Sequence, residues 1–436
     1  MKYDKDEVLA IAKDLGLDPF PVDFHVVPAE VLYDVAARAI PGRYSHWSHG
    51  KQFYDGLTRH DYRFSRIYEL VINTNPCQAF LLDVNSDIIN LMVVAHVYGH
   101  SDFFKNNIYY KDTDRDMHES AARRAERVRY YEGLYGEEEV RKTLDDILTV
   151  EFYVDPMGYD PTIRDEKPEI KQDKYDEVLS FGEKEKDPEP DYQEKKRFAG
   201  LPTRDILHFL WQEAPLEDWK KDLMSIVRAD GLYFWPMIKT KIANEGHASF
   251  FHSKIMHKMD IPGGEFMEYA EANAKVVSAH PYSLNPYWLG NQILKDVEEK
   301  HGLDKVLEIR RLESDASLIR NYLTEELVEK LGLYRYKVDG NYYKVKSKEW
   351  EEVRNGIVND MCTQFPEIEV VDKNYDKSGT LLLRHNHDGR NLKKYDAVMV
   401  LRHLENLWQN PVYLETRLDN KPVILKPDGG QIEKEE

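Results

Sequence analysis

Apolar residues recur at helical spacing along the first third of the chain: Val8, Ile11 and Leu15, then Val31, Val35 and Ala36, then Ile67, Leu70 and Val71. These sets predict helices from Lys5 to about Tyr153. The run IINLMVVAHVYGH (88–100) is apolar nearly all round, which predicts a buried helix. Asn85, Ser86 and Asp87 ahead of it supply an N-cap and a first-turn acid. Residues 121–148 mix acids and bases as a solvated helix face does. From 155 to 197 the chain turns to Pro, Lys, Glu and Asp with few aliphatic residues, which predicts a charged loop or linker. Helical periodicity resumes at Pro202 and lasts to about Leu333. Beyond Tyr334, YRYKVDGNYYKV, EIEVVDK, GTLLLRHNHDG and NPVYLETRLDNKPVILKP are β-type runs, with helices expected near 348–361 and 393–405. The expected fold is mainly α over 1–333, with 155–197 a loop or linker, followed by a small α+β domain over 334–436.

A chain of 436 residues is long for one compact core, so two or three domains are expected. Its 60 Lys and Arg against 79 Asp and Glu give a net charge of −19. That balance argues against a nucleic-acid partner, which needs a basic face. Two cysteines, Cys77 and Cys362, cannot build a disulfide framework and suit a reducing compartment. MKYDKDEVLAIAKDLGLD carries acids where a signal peptide needs an apolar core, and no run reaches the ~20 apolar residues of a membrane span. A cytoplasmic location is expected.

Two stretches carry candidate chemistry. His96 and His100 stand four residues apart on the apolar helix and share one face, a spacing that suits a transition metal and equally suits two core histidines. The second stretch is NEGHASFFH (244–252), on a helix expected to start at Pro236, a favoured first-turn residue. It places Ile238, Ile242, Glu245, Ser249, His252 and Met259 on one stripe, so Glu245 is a carboxylate on a buried face. Such a group needs a metal or a buried basic partner. His247 falls ~200° round the helix from Glu245, and His252 lies ~10 Å further along the axis. The expected metal ligands are therefore His96, His100 and Glu245, with zinc the expected ion and His252 an outer or substrate-facing group.

NEGHAS followed by an aromatic resembles the third-ligand segment of gluzincin aminopeptidases, whose glutamate joins two helical histidines on zinc. The resemblance implies zincin-like metal-site helices. Val97 stands where HExxH has its general-base Glu, and His100 and Glu245 are 145 residues apart, which departs from the gluzincin pattern. With Val97 unable to act as a base, His252 or His46 is the expected catalytic residue.

A broader resemblance covers nearly the whole chain. RYSHWSHGKQF (43–53), INTNPCQAFLL (72–82), HVYGHSDFFKNN (96–107), NEGHASFFHSKIM (244–256), NPYWLGNQI (285–293) and DASLIRNYLTEELV (315–328) occur in this order. Together they resemble the bacterial stage V sporulation protein R family, also called SpoVR/YcgB-like. The resemblance implies a cytosolic protein linked to spore cortex and cell-wall formation, with relatives associated with a PrkA-type serine kinase and a von Willebrand-like partner. It supplies no biochemical activity. His247 occupies a position where family members often carry Trp, which argues against His247 as a ligand.

Other polar groups are weaker candidates. His46 and His49 follow the Pro41–Gly42 turn, and His46 fits the family motif better. Cys77 needs an adjacent imidazole to act as a nucleophile and otherwise reads as a buried thiol. Lys105 and Asn106 could hold an anionic group or simply end a helix. Asp112, Asp114 and Asp116 lack the Gly and the final Glu of a calcium loop and read as helix-start acids. Two functions from different classes remain: a metal-dependent hydrolase or amide/acyl transferase acting on a cell-wall-related peptide or small amide, and a non-catalytic scaffold of a kinase-linked system.

Overall fold

The computed structural model describes residues 2–38, 42–48, 69–156, 201–279, 284–340, 342–363 and 365–433. The loop or linker expected over 155–197 lies outside them except for its first two residues, as do residues 49–53 of the first family motif.

Helix α1 (Lys5–Asp14) is capped by Asp4, whose side chain accepts the Asp6 N–H. Strand β1 (Val22–Val27) and helix α2 (Ala29–Arg38) follow, then strands β2 (Glu69–Ile72) and β3 (Cys77–Leu82). Leu70 and Val71, expected on a helix, lie in β2, where they pair antiparallel with Phe80 and Ala79 of β3. The reason is tertiary. β3 buries Cys77, Ala79 and Leu81 on one face, and it takes β1 as a parallel partner on its other edge. The long apolar helix α3 (Asp87–Asn106) starts at Ser86, whose hydroxyl accepts the Ile89 N–H, and is buried from Ile88 to Phe104. Helices α4 (Met117–Tyr135) and α5 (Glu137–Leu148) are separated by Gly136 at φ 90°, a left-handed conformation that breaks the helix expected to run through.

After residue 200 come α6 (Ile206–Glu213), α7 (Asp218–Lys239) and α8 (Lys241–Lys258). Pro236 does not open the second motif helix, as its sequence context suggests; it sits inside α7, and the chain breaks at Thr240. The Thr240 hydroxyl donates to the Pro236 carbonyl at 2.7 Å, so the residue that should cap α8 is occupied by the end of α7. Ile238 therefore belongs to α7 and leaves the Glu245 stripe. Helices α9 (Gly263–Val276), α10 (Pro286–His301), α11 (Leu303–Leu312), α12 (Asp315–Tyr322) and α13 (Glu325–Lys330) complete the helical region.

The hairpin β4 (Arg335–Asp339) and β5 (Tyr342–Ser347) and helix α14 (Trp350–Ile357) come next. The last stretch holds β6 (Ile368–Tyr375), β7 (Thr380–His385), α15 (Lys394–Trp408), β8 (Val412–Leu418), β9 (Lys421–Leu425) and β10 (Gln431–Glu433). These strands form one sheet in the order β10-β9-β8-β7-β6, in which only β7 and β8 run parallel, joined by α15 as the crossover helix. The fold is thus mainly α with a small α+β part at the C-terminus.

Two compact units emerge, each discontinuous in sequence: Met1–Arg141 with Tyr233–Phe365, and Lys142–Leu232 with Pro366–Glu436. The sequence changes style at Tyr334, but α14 packs with α12, α13 and β4, and the units divide at Pro366. In the first unit α8 packs against both α3 and α10, and these three helices form the centre of the main hydrophobic core. In the second, Thr203 bridges to Val370, and Asp146 accepts from His403 at 2.6 Å and from Asn406 at 3.1 Å. No helix among the described residues is long and apolar enough to cross a membrane.

Candidate metal centre

The site begins with glycine. A Cβ at Gly99 of α3 would stand 2.7 Å from the Ala248 Cα of α8, and one at Gly246 would stand 2.5 Å from the Gly290 Cα of α10. Neither backbone could accept that contact, so the three helices approach this closely only because these positions carry hydrogen. Each glycine costs ~1 kcal/mol of helix propensity relative to alanine, a cost that close packing offsets. The approach brings Glu245 of α8 opposite His96 and His100 of α3.

The Glu245 Oε2 atom lies 3.4 Å from His96 Nε2 and 3.4 Å from His100 Nε2. One donor atom from each of the three residues can be chosen so that all lie within 4.8 Å of one another. Ligands bound at ~2.0–2.1 Å around a tetrahedral zinc stand ~3.4 Å apart, which is the spacing seen. Hydrogen bonds to a carboxylate are shorter, at ~2.7–2.9 Å, and Oε2 is buried without one. Burial alone would raise the Glu245 carboxyl; the facing His100 and His96 side chains outweigh it and hold the group well below the usual carboxylate range only as N–H donors, so where their Nε2 atoms carry lone pairs a bound cation must take that part. The two histidines are buried, as is Glu245 Oε2, although 17% of the Glu245 side chain as a whole is exposed.

The far nitrogens of the two histidines are also engaged. His100 Nδ1 is 2.9 Å from Asn244 Oδ1, an acceptor only, so Nδ1 carries a proton and in the neutral ring Nε2 keeps its lone pair. His96 Nδ1 is 2.8 Å from His252 Nδ1, and His252 Nε2 is 2.9 Å from Asn273 Oδ1. The His96 ring lies nearly parallel to Tyr287 at 6.0 Å between centroids, and the His100 ring to Phe104 at 6.2 Å. Two neutral imidazoles and one carboxylate form a donor set that fits a divalent zinc-like ion.

His252 is brought to the site, but behind His96. Burial, reinforced by His96, pushes it down to about 3, and both of its ring nitrogens are taken. It is therefore a neutral positioning group, with no nitrogen left to remove a proton from a substrate. His46 is not a member of the converging group; its hydrogen-bond partner is Ser48 at 2.8 Å, and its ring lies against Trp47.

His247 faces away from the ligands, as its helical angle implies, yet it is fully buried. Its Nε2 lies 2.8 Å from Asp102 Oδ2, while Arg310 donates to Asp102 Oδ1 at 2.6 Å. Burial pushes His247 down even though Asp102 pulls it up, so Asp102 and Arg310 form the ion pair and His247 is its neutral third member. Asp102 lies two residues beyond His100, so this network anchors the opposite side of α3. Lys105 pairs with Asp18 at 2.7 Å, and Asn106 donates to the Asp18 and Asp102 carbonyls, which makes them ties at the end of α3. Burial pushes the Cys77 thiol up, the reverse of what a nucleophile needs.

Asn244, Asn273, Asp315 and the three glycines escaped the sequence reading. Glycine in mid-helix at YGH, NEG and WLG was the available signal, since an uncompensated propensity cost implies close packing. Asp315 accepts the Ala243 N–H at 2.8 Å and so starts the Glu245 helix from a distance.

No solved structure matches the chain. The uncharacterized protein YcgB of Escherichia coli (strain K12) is 28% identical, over 96% of this chain and 92% of its own length. The family model described as SpoVR like protein matches residues 1–365, and the SpoVR-like C-terminal domain matches 366–419, meeting where the two compact units divide. The chain belongs to the SpoVR family.

Proposed function

We propose that the protein is a metal-dependent hydrolase or amide/acyl transferase, with zinc held by His96, His100 and Glu245. The observation that carries this reading is the single carboxylate oxygen 3.4 Å from two imidazole nitrogens, buried without a hydrogen bond. A divalent ion bound there would supply Lewis-acid polarisation of a carbonyl and a lowered pKa for water. The chain's own contribution is to hold two imidazole nitrogens and one negative charge in place. The proposed substrate is a peptide or small amide of cell-wall type, in keeping with the sporulation and cortex link that the family resemblance implies, and the proposed location is the cytoplasm. The test is elemental analysis of the purified protein and of His96→Ala. One equivalent of zinc in the wild type and none in the variant is expected; equal content in both would remove His96 from the ligands.

A second reading is favoured by the depth of the histidines, each 4% exposed. In it the protein is a non-catalytic scaffold, working with a PrkA-type kinase and a von Willebrand-like partner, and the cluster only ties α3 to α8. Wild-type protein without metal, purified under conditions that retain zinc, would support this alternative.

A further inference from the structure

His96 can present a lone pair to the Glu245 side only if its proton sits on Nδ1. The neighbour that decides this is His252, whose Nδ1 lies 2.8 Å from His96 Nδ1. Between two neutral imidazoles one nitrogen must donate and the other accept. Which does which is set one step further out, where His252 Nε2 meets Asn273 Oδ1 at 2.9 Å. An amide oxygen only accepts, so His252 carries its proton on Nε2, its Nδ1 accepts, and His96 donates from Nδ1. In this sense the other end of the amide, Asn273 Nδ2, donates to Ser253 Oγ at 3.4 Å, and that hydroxyl meets Tyr269 at 3.3 Å; hydroxyls serve either sense of the amide, so the spacing at Glu245 is what selects it. With the amide reversed, every proton in the chain would shift and His96 Nε2–H would point at Glu245. That arrangement calls for a short hydrogen bond to the carboxylate, and the separation is instead 3.4 Å.

We propose that Asn273 of α9, acting through His252, sets the tautomer of His96 and so turns an Nε2 lone pair, rather than an N–H, toward the metal site shared with Glu245. The inference rests on the reading of His96, His100 and Glu245 as ligands. Asn273 touches none of the three, so it is a positioning residue. Asn244 does the same for His100 by direct contact. Both outer groups are neutral amides rather than carboxylates, so neither histidine gains imidazolate character, and Glu245 supplies the only negative charge among the three ligands.

The experiment uses the whole chain, as wild type, Asn273→Leu, Asn273→Ala and Asn273→Asp. Leucine matches the size of asparagine and accepts nothing, so His252 is expected to move its proton to Nδ1 and force His96 into the Nε2–H form. Zinc affinity, measured by competition with a chromophoric chelator, should fall about 10–100-fold in the leucine and alanine variants. Aspartate still accepts from His252 and should retain or tighten binding. A long-range nitrogen–proton spectrum of chelator-stripped, 15N-histidine-labelled protein should show His96 protonated on Nδ1 in the wild type and on Nε2 in Asn273→Leu. Wild-type zinc affinity together with an unchanged His96 tautomer in either folded apolar variant would overturn the inference. Should the wild type take up no zinc, the ligand reading fails, while the swap of protonated nitrogen still decides the role of Asn273.

Discussion

Asp315 caps a helix that is not its own: from α12 its carboxylate accepts the backbone N–H of Ala243, in the first turn of α8, at 2.8 Å. Thr240, the residue in the N-cap position, makes no side-chain cap because its hydroxyl is turned back to Pro236. The start of α8, and hence the position of Glu245 opposite the two histidines, is set by a side chain 70 residues downstream.

Removing that cap should loosen the site without touching a ligand. Asp315→Ala is expected to cost ~1–3 kcal/mol, the penalty for orphaned buried N–H groups. Asp315→Asn keeps an acceptor and should cost less. Burial pushes the Asp315 carboxyl up to about 7, above the ~3.9 of an unfolded chain. The folded state therefore holds an extra proton between these values. The stability this group contributes is full below about pH 4 and is lost as pH rises through about 7. Urea midpoints measured from pH 4 to pH 8 should fall more steeply for the wild type than for Asp315→Asn; parallel curves would show that Asp315 is not the titrating group.

Glu245→Gln preserves size and removes the charge that balances a divalent ion. Zinc added at about a hundred times its dissociation constant should stabilise the wild type by ~2.7 kcal/mol, seen as a raised melting temperature. The variant should fold and show no such rise. Equal shifts in the two proteins would exclude Glu245 from the ligand set.

Gly99→Ala and Gly246→Ala test the packing that creates the site. Each added methyl meets backbone within 2.7 Å, which no side-chain rotation relieves. Overpacking of this kind costs ~1–3 kcal/mol, and zinc binding should weaken because α3 and α8 move apart. Thermal unfolding and zinc titration on the same samples check both effects. Retained wild-type stability would mean that the helices have room the structure does not show.

His247 separates packing from ligation. His247→Phe leaves Asp102 without one of its partners and is expected to destabilise by ~1–3 kcal/mol, with zinc content unchanged. His247→Trp keeps an N–H donor but adds volume beside Phe103 and Phe251, whose ring centroids lie 5.7 and 4.7 Å away. It is expected to be milder than Phe only if those rings yield. Loss of zinc in a folded His247→Phe protein would contradict the separation of the two faces.

Much of the site was legible because its residues break local rules. Two histidines four apart in an otherwise apolar helix, and a glutamate on a buried stripe, are polar groups that need an explanation wherever the chain goes. Asn273 breaks no rule: in GGEFMEYAEANAKV it is one polar residue among several on a half-exposed helix, and only the tertiary placement of His252 selects it. The same holds for β2, where Leu70 and Val71 carry no mark that separates a strand from a helix until β3 is beside them. Pro236 misled for a related reason. Proline suits the first turn of a helix, but its cost inside α7 is borne near a helix end, where Thr240 takes up the Pro236 carbonyl.

The two discontinuous units have a consequence for the order in which a growing chain can fold. The side chains His96, His100, Asn244, Glu245, His252 and Asn273 have all been synthesised once Asn273 is made, and the Asp315 cap follows soon after. Residues 142–232, synthesised earlier, wait far longer: Val370 opposite Thr203 comes 370 − 203 = 167 residues later, and His403 and Asn406 reach Asp146 257 and 260 residues later. A ribosome-bound chain stopped after Phe365 would thus carry the residues of the proposed zinc site together, while Thr203 and Asp146 of the segment 142–232 still lack these partners. That segment, rather than the metal centre, is the part of the nascent protein most exposed to chaperones and proteases.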